Sequence, residues 1–527
     1  MNATSNINST EKSPATASLS ALINGLTATD IIPGEVPDVN ISGVHQDSRL
    51  LANGDLFIAC AGRTFDARQH IDEAVKKGVA AVLVQADESW QQAQVRHQVP
   101  IIPIDNLAAK SSEIAGRFNG HPSQQLTVIG ITGTNGKTSC SQFMADCLTR
   151  LGYRCGVIGT LGYGVYADGA NNTNNLIQSP LTTLDAVITQ TVLAEMQDDG
   201  VEPVVMEVSS LGLHQGRVQA VHFDTAIFTN LSRDHLDYHQ SMNDYAENKK
   251  KLFTADGLKH AIINLDDPYS ATITQAIAPG VQISTYSLAN PAASVYAEQL
   301  ELTRDGYRAH INTPIGNGII TGKLIGGFNF SNLLAMIAAL IAYLPGHNKK
   351  QLNIDTLCKL ITELQPVRGR MEIISTGADI TVLVDYAHTP DGLGSVLAAL
   401  KEHFNSKTWC VFGCGGDRDK GKRPMMGEIA ERHADHLIIT DDNPRTENGD
   451  EIVQHILEGI KNPAAVTVKR DRAQAIAFAI SNAEPGDVVL LAGKGHETHQ
   501  DSGGKRRVFN DAEQARLALK QRANRID

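Results

Sequence analysis

The sequence predicts an α/β chain of three domains, and three observations carry that expectation. The chain has 527 residues, more than one core supports, and at roughly 100–200 residues per domain about three are expected. Short apolar runs alternate with helical stretches along most of its length, the pattern of mostly parallel sheets covered by helices. A glycine-rich turn, Gly133-Thr134-Asn135-Gly136-Lys137-Thr138, joins a strand-like run to a helix-like one.

Residues 1–18 are rich in Asn, Ser, Thr and Ala and are expected to form a disordered leader. Residues 19–122 form the first domain. Strands are expected at 54–60, 78–84 and 99–105, and helices at 71–77 and 107–118. His121-Pro122 marks its end, because proline disfavours helix at the residue before it. The second domain, 123–366, opens with a strand at 126–132 and a helix at 137–151. Strands follow at 203–206, 225–228 and 261–264. A β-rich stretch is expected over 294–320, with turns at Asp305-Gly306 and Gly316-Asn317-Gly318, and then a buried helix at 329–344. The third domain, 367–527, has strands expected at 380–384, 409–412, 436–440 and 487–491, each running into a polar, Gly-rich or acidic loop. In open α/β sheets such loops carry ligands.

Composition narrows the function. Hydrophobic residues make up 42% and charged residues 20%, as in ordinary globular proteins. The net charge of −12 argues against a general affinity for nucleic acid. No apolar run reaches the ~18 residues that a membrane span needs. The seven cysteines are scattered and form no CxxC pair, which fits reduced thiols and a cytoplasmic location.

The chemistry starts at the glycine-rich turn. Glycines there let backbone N–H groups face phosphate oxygens, and the helix N-terminus adds positive potential. Lys137 can reach the outer phosphates, and the Thr138 hydroxyl can ligate Mg²⁺. The strict phosphate-loop pattern has glycine six residues before the lysine, where this chain has Ile131, so the loop is a GxxGKT variant. Glu207 follows the strand at 203–206 as a hard oxygen ligand for Mg²⁺, or as a solvated strand-end acid. His235 lies in the polar segment after the next strand. By itself the loop also fits a protein that only binds a nucleotide.

Six segments in order resemble the motifs of the Mur ligase family. They are Gly133-Thr-Asn-Gly-Lys-Thr138, Glu207-Val-Ser-Ser210, Thr229-Asn-Leu-Ser-Arg-Asp-His-Leu-Asp237, Asn329-Phe-Ser-Asn332, Gly369-Arg-Met-Glu372 and Asp385-Tyr-Ala-His-Thr-Pro390. The resemblance covers nearly all of the chain after the leader. It implies an N-terminal domain for a UDP-sugar, a central ATPase and a C-terminal Rossmann-like domain for an incoming amino acid. It implies a small-molecule enzyme, expected to be monomeric, that uses ATP to join a carboxylate to an amine through an acyl phosphate.

The resemblance also assigns residues. Catalysis falls to Lys137, Glu207, His235 and Lys249. Two Mg²⁺ ions are implied, held by Thr138, Glu207, His235 and a carbamylated Lys249. ATP would be bound by Gly133, Thr134, Asn135, Gly136, Lys137, Thr138 and Ser139, with Asn329, Asn332 and Arg370 around the nucleotide; helix N-capping is the plainer role for the two asparagines. The UDP-muramoyl-dipeptide would meet Gln46, Ser48, Arg63, Thr64, Phe65, Thr182, Thr183, Ser209, Gln215 and Arg217. Two positions depart from the family pattern: Leu211 stands where His is common, and Leu184 where Pro or Gly is common. In this family the string Asp442-Asn443-Pro444-Arg445 marks members that add diaminopimelate; lysine-adding members lack the arginine. Arg445 would bind the distal carboxylate, for which a guanidinium fork is well shaped. Arg418, Asp442, Asn443, Pro444, Gly493 and Glu497 would complete that site. Lysine-adding and folylpolyglutamate-forming relatives are the rival readings within the family.

Overall fold

The computed structural model describes residues 16–27, 36–62, 65–166, 175–344, 352–375 and 378–526. Most of the expected leader lies outside these. Its last residues, Ala17–Ser18, pair with Asn40–Ile41 and lead into the helix Leu19–Ile23, so these two residues are a strand and not the disordered chain expected there.

Three sheets organise the rest. The N-terminal sheet has five strands in the order Val44–His45, Leu56–Ala59, Ala81–Gln85, Val99–Ile104, Gln94–Arg96. All neighbours are parallel except the last pair, which is antiparallel. The residues of Leu56–Ala59 and Val99–Ile104 are all buried, which explains their unbroken apolar runs. His121, before Pro122, takes a left-handed conformation (φ +51°) and ends the preceding helix region.

The central sheet has ten strands. Gly156–Gly159, Pro203–Glu207, Thr127–Thr132, Thr225–Phe228, His260–Asn264, Gln282–Ser287 and Val295–Thr303 run parallel in that spatial order. Gly162–Val165 caps one edge antiparallel, and Gly306–Thr313 and Gly316–Gly322 extend the other as an antiparallel meander. The turn expected at Gly316–Gly318 falls two residues earlier, at Pro314-Ile315. Gly318 is glycine for another reason: a Cβ there would stand 2.5 Å from the Cys358 sulfur of the helix Ile354–Thr362. The helix Lys137–Arg150 is buried along most of its length, and it packs on the nearly all-apolar helix Gly327–Tyr343.

The C-terminal sheet runs Glu372–Ile373, Thr381–Asp385, Val488–Ala492, Thr408–Phe412, His436–Ile439, Thr467–Val468, parallel except for the first pair. Helices cover both faces and form two separate apolar clusters. A small hairpin, His499–Ser502 with Lys505–Val508, projects beside it. No helix among the described residues is long and apolar enough to cross a membrane.

Candidate active site

The carboxyl ends of two parallel sheets meet at one cleft of about 280 Å³. From the central sheet come the loop after Thr127–Thr132, Thr160 after Gly156–Gly159, and Glu207 at the end of Pro203–Glu207. From the C-terminal sheet come Tyr386 after Thr381–Asp385, Gly413 after Thr408–Phe412, Asp442 beyond His436–Ile439, and Gly493 after Val488–Ala492. Parallel strands in register bring these loops to one side.

The phosphate loop is held from outside. Thr134 N–H donates to Asn230 O at 2.9 Å, and Asn135 N–H donates to the Asn230 side-chain oxygen at 2.9 Å. These two N–H groups are therefore occupied, contrary to a loop in which every amide faces phosphate. Lys137, Thr138 and Ser139 open the helix, so their N–H groups have no intrahelical acceptor and remain for an anion. Gly136 caps that helix at φ +87°, and a Cβ there would meet Asn332 Oδ1 at 2.2 Å. Lys137 is half-buried and folds back to donate to Gly133 O (2.8 Å) and Thr134 O (3.0 Å). Burial lowers its ammonium pKa, and Glu207 and Asp234 oppose that.

Glu207 is fully buried, not a solvated strand-end acid. Oε2 accepts from Thr138 Oγ1 (3.0 Å) and Thr160 Oγ1 (2.9 Å), and Oε1 from Thr160 N–H (2.9 Å). Gly159 makes room for it, since a Cβ there would lie 2.3 Å from Oε1. His235 sits at φ +55°, and its Nε2 lies 3.4 Å from Asp234 Oδ2; His388 Nε2 lies 3.8 Å from the same oxygen. Burial works to raise the Asp234 carboxyl, but His235, His388 and Lys422 outweigh it and hold it at about 2. Burial lowers His235, favouring a neutral imidazole. Lys249, on the helix Met242–Lys250, is 1% exposed. Its Nζ donates to Gly133 O at 2.7 Å and lies 4.5 Å from the Tyr245 ring centroid. Burial, and then Lys137, push its pKa well below the usual lysine value.

A second cavity, about 320 Å³, adjoins the loop and is lined by Asn329, Asn332 and Arg370 among others. Neither asparagine caps its helix: the cap is Gly326, and Asn329 Nδ2 donates back to Ile325 O at 2.9 Å. Arg370 spans both cavities, with Nη2 donating to Thr138 Oγ1 at 3.1 Å and its guanidinium 4.4 Å from the Tyr386 ring centroid.

A third cavity, about 1030 Å³, lies between the N-terminal and central domains and is lined by Gln46, Phe65, Gln215 and Arg217. Phe65 is 60% exposed and stacks on His70. Thr182 instead lines the first cleft. Three expected contacts are engaged elsewhere. Ser48 is buried, and its carbonyl accepts from Lys77 Nζ. Thr183 lies 3.0 Å from Glu207 O and accepts from Ser209 N–H, while the Ser209 hydroxyl caps the helix Ser210–His214. These threonine and serine side chains brace the loop, and Leu184 fills the apolar cluster beneath it. Arg63 and Thr64 lie outside the described residues.

The fourth group gathers on the C-terminal side of the first cleft: Arg418, Asp442, Asn443, Arg445, Gly493 and Glu497 all line it. Pro444 is buried behind them. Arg445 has φ +53°, and its Nη1 donates to Gly416 O at 2.6 Å. Gly493 (φ +110°) lets the chain pass Asp442, whose Oδ2 would lie 2.7 Å from a Cβ there. His235, Met371, Asp417 and Arg445 are all left-handed non-glycine residues at or beside the cleft, where backbone strain commonly gathers. The sequence did not single out Thr160, Asp234, Tyr386, His388 or Lys422, which also line it. Asp234, Tyr386 and His388 sit inside strings already noticed; Thr160 and Lys422 carry no local signal.

Models of protein families match three stretches: "Mur ligase family, catalytic domain" over 40–119, "Mur ligase middle domain" over 131–340, and "Mur ligase, glutamate ligase domain" over 369–495. The chain belongs to the Mur ligase family. A UDP-N-acetylmuramoyl-L-alanyl-D-glutamate–2,6-diaminopimelate ligase of Coxiella burnetii is 44% identical over 486 residues, covering 92% of this chain and 96% of the relative. The protein of that name from Pseudomonas aeruginosa is 44% identical over 494 residues, covering 94% and 98%. A solved structure bearing the same ligase name matches with TM-score 0.65 at 32% identity, covering 96% of this chain and 99% of the other. The MurF ligase of Thermotoga maritima, solved with ADP, matches with TM-score 0.61 at 16% identity, covering 92% and 98%, a likeness of fold alone. The three-domain α/β architecture expected from the sequence is that of these Mur ligases.

Proposed function

We propose that this Mur ligase adds meso-2,6-diaminopimelate to UDP-N-acetylmuramoyl-L-alanyl-D-glutamate, using ATP and passing through an acyl phosphate, as a step in building peptidoglycan precursors. The observation that carries the reading is the shared cleft. Lys137, Thr138 and Glu207 face Asn443, Arg445 and Glu497 across about 280 Å³. A phosphate-binding end and an amino-acid-binding end thus open on one space, with the large cavity at Gln46 and Arg217 for a nucleotide sugar. The shared name of the 44%-identical relatives supports the same substrates.

In this reading the D-glutamate carboxylate attacks the γ-phosphate of ATP, the bond to the β,γ-bridging oxygen breaks, and ADP leaves an acyl phosphate behind. Lys137 and the N–H groups of its helix's first turn bind the phosphates and offset the charge that develops. The cavity at Asn329 and Asn332 takes the nucleoside. Arg445 binds the distal carboxylate of diaminopimelate, Asp442 and Glu497 its ammonium, and the Asn443 amide N–H a carboxylate oxygen. The free amine then attacks the acyl phosphate, and phosphate leaves. Closure of the domains excludes water that would hydrolyse the acyl phosphate.

The residues fit a divalent cation. Among the described residues no three His, Cys, Asp or Glu side chains converge to hold a metal unaided. Buried Glu207 and the Thr138 hydroxyl instead offer a sparse set of hard oxygens, as suits Mg²⁺, which keeps waters and substrate phosphates in its shell. When bound, Mg²⁺ neutralises phosphate charge and orients the transferred group. His235 and a carbamylated Lys249 would serve a second ion. The neutral amine is the form that reacts with carbon dioxide, and burial shifts Lys249 toward it. We take the enzyme to be a cytoplasmic monomer acting on small molecules, without nucleic-acid or membrane partners.

The test supplies ATP, Mg²⁺ and the UDP-muramoyl-dipeptide with diaminopimelate, lysine or ornithine in parallel, and follows phosphate release and the amide product by mass. Product with diaminopimelate at far higher efficiency is expected. Product with lysine alone would overturn the specificity, and no product with any amine would favour a nucleotide-binding protein without ligase activity.

A further inference from the structure

Lys494 follows the strand Val488–Ala492 and is fully buried, so it cannot touch substrate in the cleft. Its Nζ donates to Asn443 Oδ1 at 3.1 Å and to Glu497 Oε2 at 2.6 Å. Asn443 Oδ1 also accepts from Asp501 N–H at 2.9 Å. An ammonium and a backbone N–H are both pure donors, so the amide atom that faces them must be the oxygen. The Asn443 nitrogen is thereby turned the other way, toward Glu497 Oε2, to which it donates at 2.9 Å. Asn443 and Glu497 both line the cleft, and Lys494 does not.

A buried lysine is costly unless its charge is paired and its donors are satisfied. An apolar residue would fill the same space without that penalty. What the lysine supplies here is orientation: it fixes one amide rotamer and anchors one carboxylate oxygen. The second oxygen of Glu497 and the second hydrogen of the Asn443 amide are left for a ligand with one acceptor and one donor end, such as an amino acid. We infer that Lys494 is a positioning residue for the incoming amino acid, acting through Asn443 and Glu497 from behind the pocket wall. This rests on the proposal that diaminopimelate occupies this end of the cleft.

The test is Lys494→Met in the full-length enzyme, with the KM of each substrate measured separately and a thermal melt as a check on folding. The expected result is a KM for diaminopimelate raised tenfold or more, with the KM values for ATP and UDP-muramoyl-dipeptide within twofold of the parent. A lysine acting through Asn443 and Glu497 keeps only its effect on Asn443 once that carboxylate is gone. Lys494→Met combined with Glu497→Gln should therefore lose less than the two single losses multiplied. If Lys494→Met does not fold, Lys494→Gln, which keeps one donor, is measured in the same way. An unchanged KM for diaminopimelate, an equal rise in all three KM values, or fully additive losses in the double variant would overturn the inference. Failure of the parent enzyme to use diaminopimelate at all would instead overturn the function on which it rests.

Discussion

Arg445 is fixed at both its backbone and its side chain. Its N–H donates to Asp501 O at 3.1 Å, its carbonyl accepts from Gly503 N–H at 2.7 Å, and its guanidinium leans on Gly416 O. A side chain so placed meets a carboxylate with little further loss of freedom, which is what preorganised binding requires. Arg445→Ala should raise the KM for diaminopimelate by about 30-fold or more, the effect of removing one partner of a desolvated charge pair worth about 2–5 kcal/mol. Initial rates at varied diaminopimelate check this, and an unchanged KM would remove Arg445 from the site. Its string was legible in the sequence because its neighbours are contiguous. Lys249 was not legible from the residues themselves. It stands in a run of three lysines, and only the folded helix shows that Lys249 is buried while Lys251 is exposed.

At the scale of elements, the helix Lys422–His433 is tied to the loop carrying Arg445 by Arg423 and Glu447. Arg423 has no exposed side-chain surface and donates to both Glu447 oxygens, at 3.0 and 2.9 Å. Arg423 thus pulls the Glu447 carboxyl down to about 2 from its usual 4.5. The unfolded chain binds this proton more readily, so the stabilisation is complete above pH 4.5 and is lost as pH falls through about 2. Glu447→Gln should lower the melting temperature at pH 7 and cost up to the roughly 3–5 kcal/mol of stability that breaking a buried ion pair costs. The gap to the parent should narrow as melts are taken from pH 5 downward; a gap independent of pH would contradict the assignment. No local pattern marks this pair, whose members are 24 residues apart. Strand positions were legible because buried parallel strands are continuous apolar runs. The turn misplaced at Gly316–Gly318 was not, because a glycine that admits a neighbouring helix looks the same in sequence as one that turns the chain.

Across the whole molecule, the central and C-terminal domains meet in two ways: Ile325 and Phe328 pack into the apolar cluster of the C-terminal domain beside a buried Gly326 N–H to His403 Nε2 bond of 2.9 Å, and polar side chains meet around the cleft. Arg370 reaches Thr138, Asn135 Nδ2 donates to Asp391 Oδ2 at 3.2 Å, and Arg233 lies 3.5 Å from Asp419. The third domain begins at 367, and that boundary leads directly into Arg370. The polar pairs around the cleft are partly exposed and hold weakly, so they can open and re-form as substrates enter while the buried contact at Ile325 and His403 stays packed. Arg370→Ala should lower kcat about 100-fold, the scale of a small misplacement of reacting groups, with little change in melting temperature. An unaltered kcat would show that this contact does not order the closed site. The order of domains was legible in the sequence; their meeting at one cleft was not, because Thr160, Glu207, Tyr386 and Glu497 converge from segments far apart in the chain. That convergence is the central claim, and phosphate release with each substrate omitted in turn tests it most directly. Release that requires ATP, UDP-muramoyl-dipeptide and diaminopimelate together, one phosphate per amide formed, is the expected result. Release that proceeds undiminished without the peptide or the amine would contradict a single cleft that couples the three.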